Sequence, residues 1–345
     1  MELLLSNYPP AKLQGFNSSI NYFEKAIKDC EILRIASGYI SSDSLVDLKR
    51  IIELNKKPRV ELLIGMHYFD GFSSSQYVAA CALNNFLREN DLGFVYLSDT
   101  VKFHGKIYTF SSGNIQRSAV VGSSNLSSMY DSVNRLYEVD VLFKEKESEI
   151  INSSVIDIIR KLGRPIEEVD KITIVEFNHL LENHENVRRI SDIEKLSKLG
   201  KLTNTTFDLP IKSEPRSNLN PYFGKGRKNK NGFITPRPWY EVELIVPKKI
   251  TTKSNYPFKR TFEVFTDDNW VFTCETNGDN SKNFRSKDDL KILGKWIKGR
   301  MESKGALITG SPVTDDVIKK YGRNAISLHA TDDPNIWFLD FKPNQ

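Results

Sequence analysis

The segment Val60–Met66, VELLIGM, constrains the fold most strongly. It is largely apolar and short, as expected of a strand covered on both faces. Such a strand needs helices above and below it, and the flanking sequence supplies them. Ser42–Leu54 sets Leu45, Leu48, Ile51 and Ile52 at helical spacing, with Ser42 or Asp43 as N-cap. Ser75–Leu87 reads as a second helix and Ser148–Leu162 as a strongly amphipathic third. Ile32–Tyr39, Phe94–Leu97, Lys106–Phe110, Ser118–Val121 and Tyr137–Phe143 read as further strands. Strands alternating with helices predict an α/β sandwich for the first half of the chain.

The second half changes character. Residues 163 to about 200 read as helical, and the polar stretch 203–220, with Pro210 and Pro215, reads as a linker or domain edge. Trp239–Val246 alternates like a half-buried strand. Thr261–Thr266 and Trp270–Glu275 flank the turn signal Asp267-Asp268-Asn269. One helix, Asp288–Ser303, follows a capping box of Ser286 and Asp289 and ends at Gly305. Ala325–His329 and Ile336–Phe341 read as closing strands. Many short strands around one helix predict a small barrel-like β domain. The 345 residues therefore divide into 1–180 and 181–345, with about 186–220 as linker.

Three cysteines (Cys30, Cys81, Cys274) lie far apart and form no CxxC pair. That argues against a disulfide scaffold and a cysteine zinc site and predicts a reducing compartment. No apolar run approaches the roughly 20 residues of a spanning helix. The start, MELLLSNYPPAK, lacks the basic residues and long apolar stretch of a secretion signal. A cytoplasmic protein without membrane association is expected. The net charge of +5 is unevenly placed: Arg216–Arg260 holds eleven Lys and Arg against two acids, Glu241 and Glu243. Such a run is either a solvated face or an electrostatic footprint for a phosphate backbone.

Chemistry concentrates between residues 104 and 138. His104-Gly105-Lys106 is followed by Gly122-Ser123-Ser124-Asn125 and then by Glu138. In this order the residues resemble the phospholipase D superfamily, and the reaction which that resemblance implies, cutting a phosphodiester without a metal, needs a nucleophile, an acid for the leaving group and fixed positive charge. One imidazole can attack phosphorus and a second can protonate the leaving oxygen. Lysine and asparagine can donate to the phosphoryl oxygens as charge builds. A carboxylate can hold the nucleophilic imidazole in the required tautomer. His104, Lys106, Asn125 and Glu138 supply these types. Ser123, beside Gly122 at a strand end, can turn backbone N–H groups toward phosphate. His104 and Lys106, two apart on one strand, would share a face. No metal ligand set is expected.

These ordered residues resemble the phospholipase D superfamily, whose signature is HxK followed by a GSxxN-like run. Two departures stand out. Ser111 occupies the aspartate position of the fuller HxKxxxxD form, which the nuclease branch of the superfamily can also lack. The interval from Ser111 to Gly122 is long, and Gly113-Asn114 suggests a hairpin insertion there. Only one HxK exists; His67, His179, His184 and His329 sit in no comparable context. A two-histidine mechanism then requires two chains, so a symmetric homodimer with both His104 side chains at one composite site is expected.

The basic stretch reads as a pair of DNA-gripping arms. Lys225, Arg227, Lys228, Asn229, Lys230 and Arg237 lie in the first, and Asn277, Asp279, Asn280, Lys282, Asn283 and Arg285 in the second. Lysine and arginine contact phosphate or guanine, and asparagine reads adenine edges. Lys225, Lys228 and Lys248 are assigned to phosphate; Arg227, Arg237, Asn280, Lys282 and Arg285 to base edges. PRPWYEVEL, NGDNSKN and LGKWIKGR resemble the NgoFVII-type restriction endonuclease family, in which a phospholipase D-like nuclease precedes a B3-like DNA-recognition domain. The resemblance implies a phospholipase D-like α/β sandwich followed by a mainly β, B3-like pseudobarrel. It implies a site-specific, metal-independent endonuclease acting on double-stranded DNA, a cognate methyltransferase and, in some relatives, a separate ATPase subunit. No cofactor is expected in this chain. The competing reading is a catalytically inactive, sequence-specific DNA-binding regulator, for which Ser111 speaks. A lipid phosphodiesterase fits poorly, lacking a second motif and an apolar interfacial helix.

Overall fold

The computed structural model describes residues 1–7, 9–113, 115–129, 136–175, 180–182 and 184–343. In chain order the first half holds β1 (Glu2–Leu5), β2 (Asn17–Ser18), α1 (Ser19–Asp29), β3 (Ile32–Ser37), α2 (Ser42–Asn55), β4 (Arg59–Ile64), α3 (His67–Asp70), α4 (Ser74–Glu89), β5 (Gly93–Ser98), β6 (Lys106–Ser112), β7 (Ile115–Gly122), β8 (Val139–Lys144), α5 (Glu145–Leu162) and β9 (Gly163–Pro165). The second half holds β10 (Arg188–Arg189), α6 (Asp192–Leu199), β11 (Leu202–Pro210), β12 (Arg227–Lys228), β13 (Ile234–Thr235), β14 (Leu244–Ile245), α7 (Lys248–Thr251), β15 (Thr261–Thr266), β16 (Trp270–Asn277), β17 (Asn283–Ser286), α8 (Leu290–Ser303), α9 (Asp315–Tyr321), β18 (Ala325–Thr331) and β19 (Ile336–Asp340).

Two compact units form. The first comprises Met1–Asn178 with Arg227–Pro236, and the second His179–Gly226 with Arg237–Gln345. The first is built on a nine-stranded sheet in the order β2-β1-β8-β7-β6-β3-β4-β5-β9. Strands β3, β4 and β5 are parallel, and β6 runs antiparallel beside β3. Side-chain alternation divides β6 between two helical layers. Tyr108 and Phe110 meet Phe23 of α1 edge-on, while Thr109 donates to Asn152 of α5. Ala36 and Leu63 pack with Val155 and Ile159 of α5. The α/β sandwich read from VELLIGM is therefore the fold of this unit.

The second unit is a curled sheet in the order β11-β18-β19-β15-β16-β17-β14, with β10 on β16. Most pairs are antiparallel; β15 and β19 are parallel. This is the mainly β domain expected of the second half. Helix α8 begins on Asp289, whose side chain accepts from the Lys291 N–H, while Ser286 accepts the Leu293 N–H.

Several local expectations change. The described residues of 163–200 are mostly non-helical, and only α6 forms a full helix among them. The polar stretch after 203 is β11, a nine-residue strand paired with β18 that buries Phe207 and Leu209. Its threonines pack well on a pleated surface, which outweighs the polarity that reads as a linker. The 186–220 segment thus holds β10, α6 and β11. Trp239–Val246 alternates in burial, yet only Leu244–Ile245 joins a ladder. Helix α2 starts at Ser42 as expected, but its N-cap is Ser41, through a reciprocal cap with Ser44. Helices α1 and α9 were not anticipated. His179 and the Asn114 half of the expected hairpin signal lie outside the described residues.

Candidate active site

The site forms where β3 ends and β6 begins. Register pairs Ser37 with Lys106, so the residues just beyond β3 face those just before β6. Gly38 N–H donates to the Gly105 carbonyl at 3.0 Å, and Phe103 N–H to the Gly65 carbonyl at 3.1 Å. These bonds hold residues 103–105 against the ends of β3 and β4. His104 therefore precedes β6 instead of lying on it, which replaces the expected shared strand face. Its side chain is exposed, whereas that of Lys106 is buried. Two glycines make room. A Cβ on Gly38 would lie 3.0 Å from His104 Cδ2, and one on Gly65 would lie 2.0 Å from the Phe103 carbonyl oxygen.

Lys106 Nζ donates to the His104 carbonyl at 2.7 Å. Burial lowers the Lys106 pKa from its ordinary value, and the charge of Glu138 works against that. Asn125 sits on the turn after β7, where its Oδ1 accepts the Tyr39 N–H at 3.1 Å. That contact fixes the amide and leaves Nδ2 as its donor group. Glu138, buried, lies just before β8. Its oxygens accept Ser123 Oγ at 2.6 Å and Ser128 Oγ at 2.9 Å. The carboxylate thus staples both ends of the turn carrying Asn125. Among the described residues no hydrogen bond joins it to the His104 ring of the same chain, so the expected Glu138–His104 contact is not made within one chain. The Ser123 N–H is also occupied, donating to the Val139 carbonyl at 3.1 Å; it is not held open for phosphate.

Some residues at this site were not singled out from sequence. Tyr39 meets His104 edge-on at 5.6 Å and His67 at 5.4 Å. Its hydroxyl donates to Asp70 Oδ2 at 2.6 Å, and Lys102 Nζ donates to Asp70 Oδ1 at 3.0 Å. His67 is buried and stacked on Phe72. Its Nε2 faces the Ile40 N–H at 3.2 Å and its Nδ1 the Gly71 carbonyl at 3.0 Å, which assigns the Nδ1–H tautomer. Burial depresses its pKa, and the Gly71 carbonyl and the Asp70 charge work against that. The available signal was positional: ligand sites gather at the carboxyl ends of parallel strands, where Gly38-Tyr39 follows β3.

Two family models match the chain in sequence order. The NgoFVII restriction endonuclease N-terminal PLD domain matches residues 16–171, and the NgoFVII C-terminal B3-like DNA-binding domain matches residues 198–332. The chain belongs to the NgoFVII restriction endonuclease family. Its first unit is a phospholipase D-like nuclease, and its second a B3-like DNA-binding domain. Among solved structures, Nuc from Salmonella typhimurium, a phospholipase D family member, aligns with 15% identity over 48% of this chain and 95% of its own, at a TM-score of 0.32. No curated protein matches the chain.

The basic arms of this NgoFVII-family chain are placed differently from one another. Residues Arg227, Lys228, Asn229 and Lys230 lie on the β12–β13 hairpin, which belongs to the first unit. Asn55 of α2 clamps it, donating to the Ile234 carbonyl at 2.8 Å and accepting the Ile234 N–H at 2.7 Å. Phe233 is buried, and a cavity of about 290 Å³ beneath the turn is lined by Lys28, Lys57, Leu54 and Asn231, among others. Lys225 and Arg237 remain with the second unit, Lys225 exposed and Arg237 paired with Glu241. In the second arm, Asn277 and Asn283 close the β16–β17 ladder and Asn280 takes a left-handed conformation. Asp279 is exposed, and Lys282 lies 3.5 Å from it. Arg285 is held between Glu275 at 2.8 Å and Glu243 at 3.1 Å.

Proposed function

We propose that this chain is a site-specific, metal-independent DNA endonuclease of a restriction-modification system, acting through a phosphohistidine at one composite site per homodimer. The observation that carries the reading is the gathering of His104, Lys106 and Asn125 at one end of the nuclease sheet. A single HxK motif per chain supports the pairing of two protomers. One His104 imidazole attacks phosphorus, forming a P–N bond while the P–O bond to the leaving sugar oxygen breaks. The partner's His104, as imidazolium, gives that oxygen a proton. Water then attacks the phosphohistidine; the now neutral second imidazole takes its proton, and the P–N bond breaks. Lys106 and the Nδ2 of Asn125 stabilise the charge that builds on the phosphoryl oxygens. Glu138 acts on this centre by fixing the Asn125 turn and offsetting the Lys106 charge. Arg285, Lys282, Asn280 and the hairpin cations supply DNA contacts. A cognate methyltransferase would protect the host's own sites, an ATPase subunit would control cutting, and both would share the cytoplasm with the enzyme.

The test is cleavage of mixed-sequence plasmid in excess EDTA, wild type beside His104→Ala. Discrete fragments from wild type alone support the reading. Equal cutting by the variant refutes His104 as nucleophile. DNA binding without cutting by either protein favours the regulator.

A further inference from the structure

We propose that Tyr39 is a positioning residue of the nuclease centre, setting His104 through its ring and Asn125 through its backbone, with Asp70 as its latch. The inference rests on His104 being the nucleophile. The His104 imidazole is exposed, and among the described residues no hydrogen bond holds its ring. An exposed imidazole with free rotamers would spend most of its time misaligned, and reacting atoms need alignment to well under an ångström. Its ring contact is Tyr39, whose ring stands edge-on at 5.6 Å and 80°.

Tyr39 is itself fixed at three points. Its N–H is bound by Asn125 Oδ1, so one residue orients both the phosphate-binding amide and the nucleophile. Its ring packs against the buried His67 at 5.4 Å and 89°. Its hydroxyl donates to Asp70, which also binds Lys102. The carboxylate is kept ionised by the tyrosine hydroxyl and then by Lys102, while the same hydrogen bond raises the phenol pKa, so the hydroxyl remains the donor. His67, with both nitrogens bound to backbone groups, is the wall against which the tyrosine is set.

The test compares full-length wild type, Tyr39→Ala, Tyr39→Phe, Asp70→Asn and Asp70→Ala for kcat, KM and Tm on cognate DNA, with His104→Ala in parallel. All variants keep the backbone N–H to Asn125, so the ring and its latch are read separately. Tyr39→Ala should lower kcat by about 10- to 100-fold while KM stays near wild type. Tyr39→Phe keeps the ring and should recover most of that loss; Asp70→Asn, still an acceptor, should exceed Asp70→Ala in kcat. An unchanged kcat in Tyr39→Ala, a Phe variant as impaired as Ala, or a loss confined to KM would each overturn the assignment. If Tyr39→Ala loses its fold, judged by Tm, Tyr39→Leu takes its place with the same readings. Cutting by His104→Ala at the wild-type rate would instead sink the underlying nucleophile reading. A dead His104→Ala beside a fully active Tyr39→Ala sinks the positioning role alone.

Discussion

Replacing Gly38 with alanine should displace the nucleophile while leaving the nuclease domain folded. Gly38 does not occupy the left-handed region, so an L-residue is tolerated there. The new methyl would lie 3.0 Å from His104 Cδ2, 3.3 Å from its Cα and 3.4 Å from Met66 Cγ. Ordinary carbon contacts sit at about 3.5–4.0 Å, so the imidazole must withdraw by roughly 0.5–1 Å. Because the ring is exposed, it can move at little cost in stability. A displacement of that size at the reacting atom corresponds to about a 10- to 100-fold loss of rate. Stability should stay within about 1 kcal/mol, since alanine also restricts the unfolded chain. Single-turnover cleavage, DNA affinity and Tm measured side by side are the assay. Slow cleavage with unchanged affinity and Tm is expected. Cleavage at the wild-type rate would refute the claim that His104 geometry at the end of β3 controls the reaction. Gly65→Ala is the contrasting case: its methyl would meet the Phe103 carbonyl at 2.0 Å, a backbone collision, and should lower Tm.

Four further outcomes follow from the geometry. Glu138→Ala strands the hydroxyls of Ser123 and Ser128 and should cost about 1–3 kcal/mol in urea unfolding, with reduced cleavage. His67 has a depressed folded-state pKa, so its neutral form contributes stability that is present above the unfolded value, near 6.5, and is lost as pH falls below it; stability should therefore fall with pH in that range for wild type, and the dependence should flatten in His67→Gln. Asn55→Ala removes two hydrogen bonds to Ile234 and should lower the protection of the Ile234 amide in hydrogen exchange by about 1–3 kcal/mol, with the β6 amides unchanged. Arg285→Ala should weaken cognate binding by about 1–3 kcal/mol and relax specificity, whereas Lys228→Ala should lower the salt dependence by about one unit for every sequence alike.

Much of this account was legible in the sequence because the chemistry is carried by residue type and order. An imidazole, an ammonium, an amide and a carboxylate in that succession have few uses in common. VELLIGM likewise announced a doubly covered strand. The missed features depend on tertiary placement. Tyr39 is a functional neighbour of His104 only because β3 pairs with β6, and nothing local marks it. Glu138 was assigned to the imidazole by chemical type, yet within one chain two serines fifteen and ten residues upstream take its oxygens. Strand β11 hid behind threonines and an asparagine whose alternation with Phe207 and Leu209 mattered more than their polarity. The β12–β13 hairpin joins the first unit through Asn55, 179 residues from Ile234, a pairing that no local pattern encodes.

Covalent trapping tests the central claim most directly. The enzyme is mixed with end-labelled cognate DNA in EDTA, quenched in alkali during the first turnover, digested and mapped by mass spectrometry. The account predicts a phosphoramidate adduct on the peptide carrying His104, absent from His104→Ala. Efficient cleavage with no protein-bound label, or label on another residue, would contradict it.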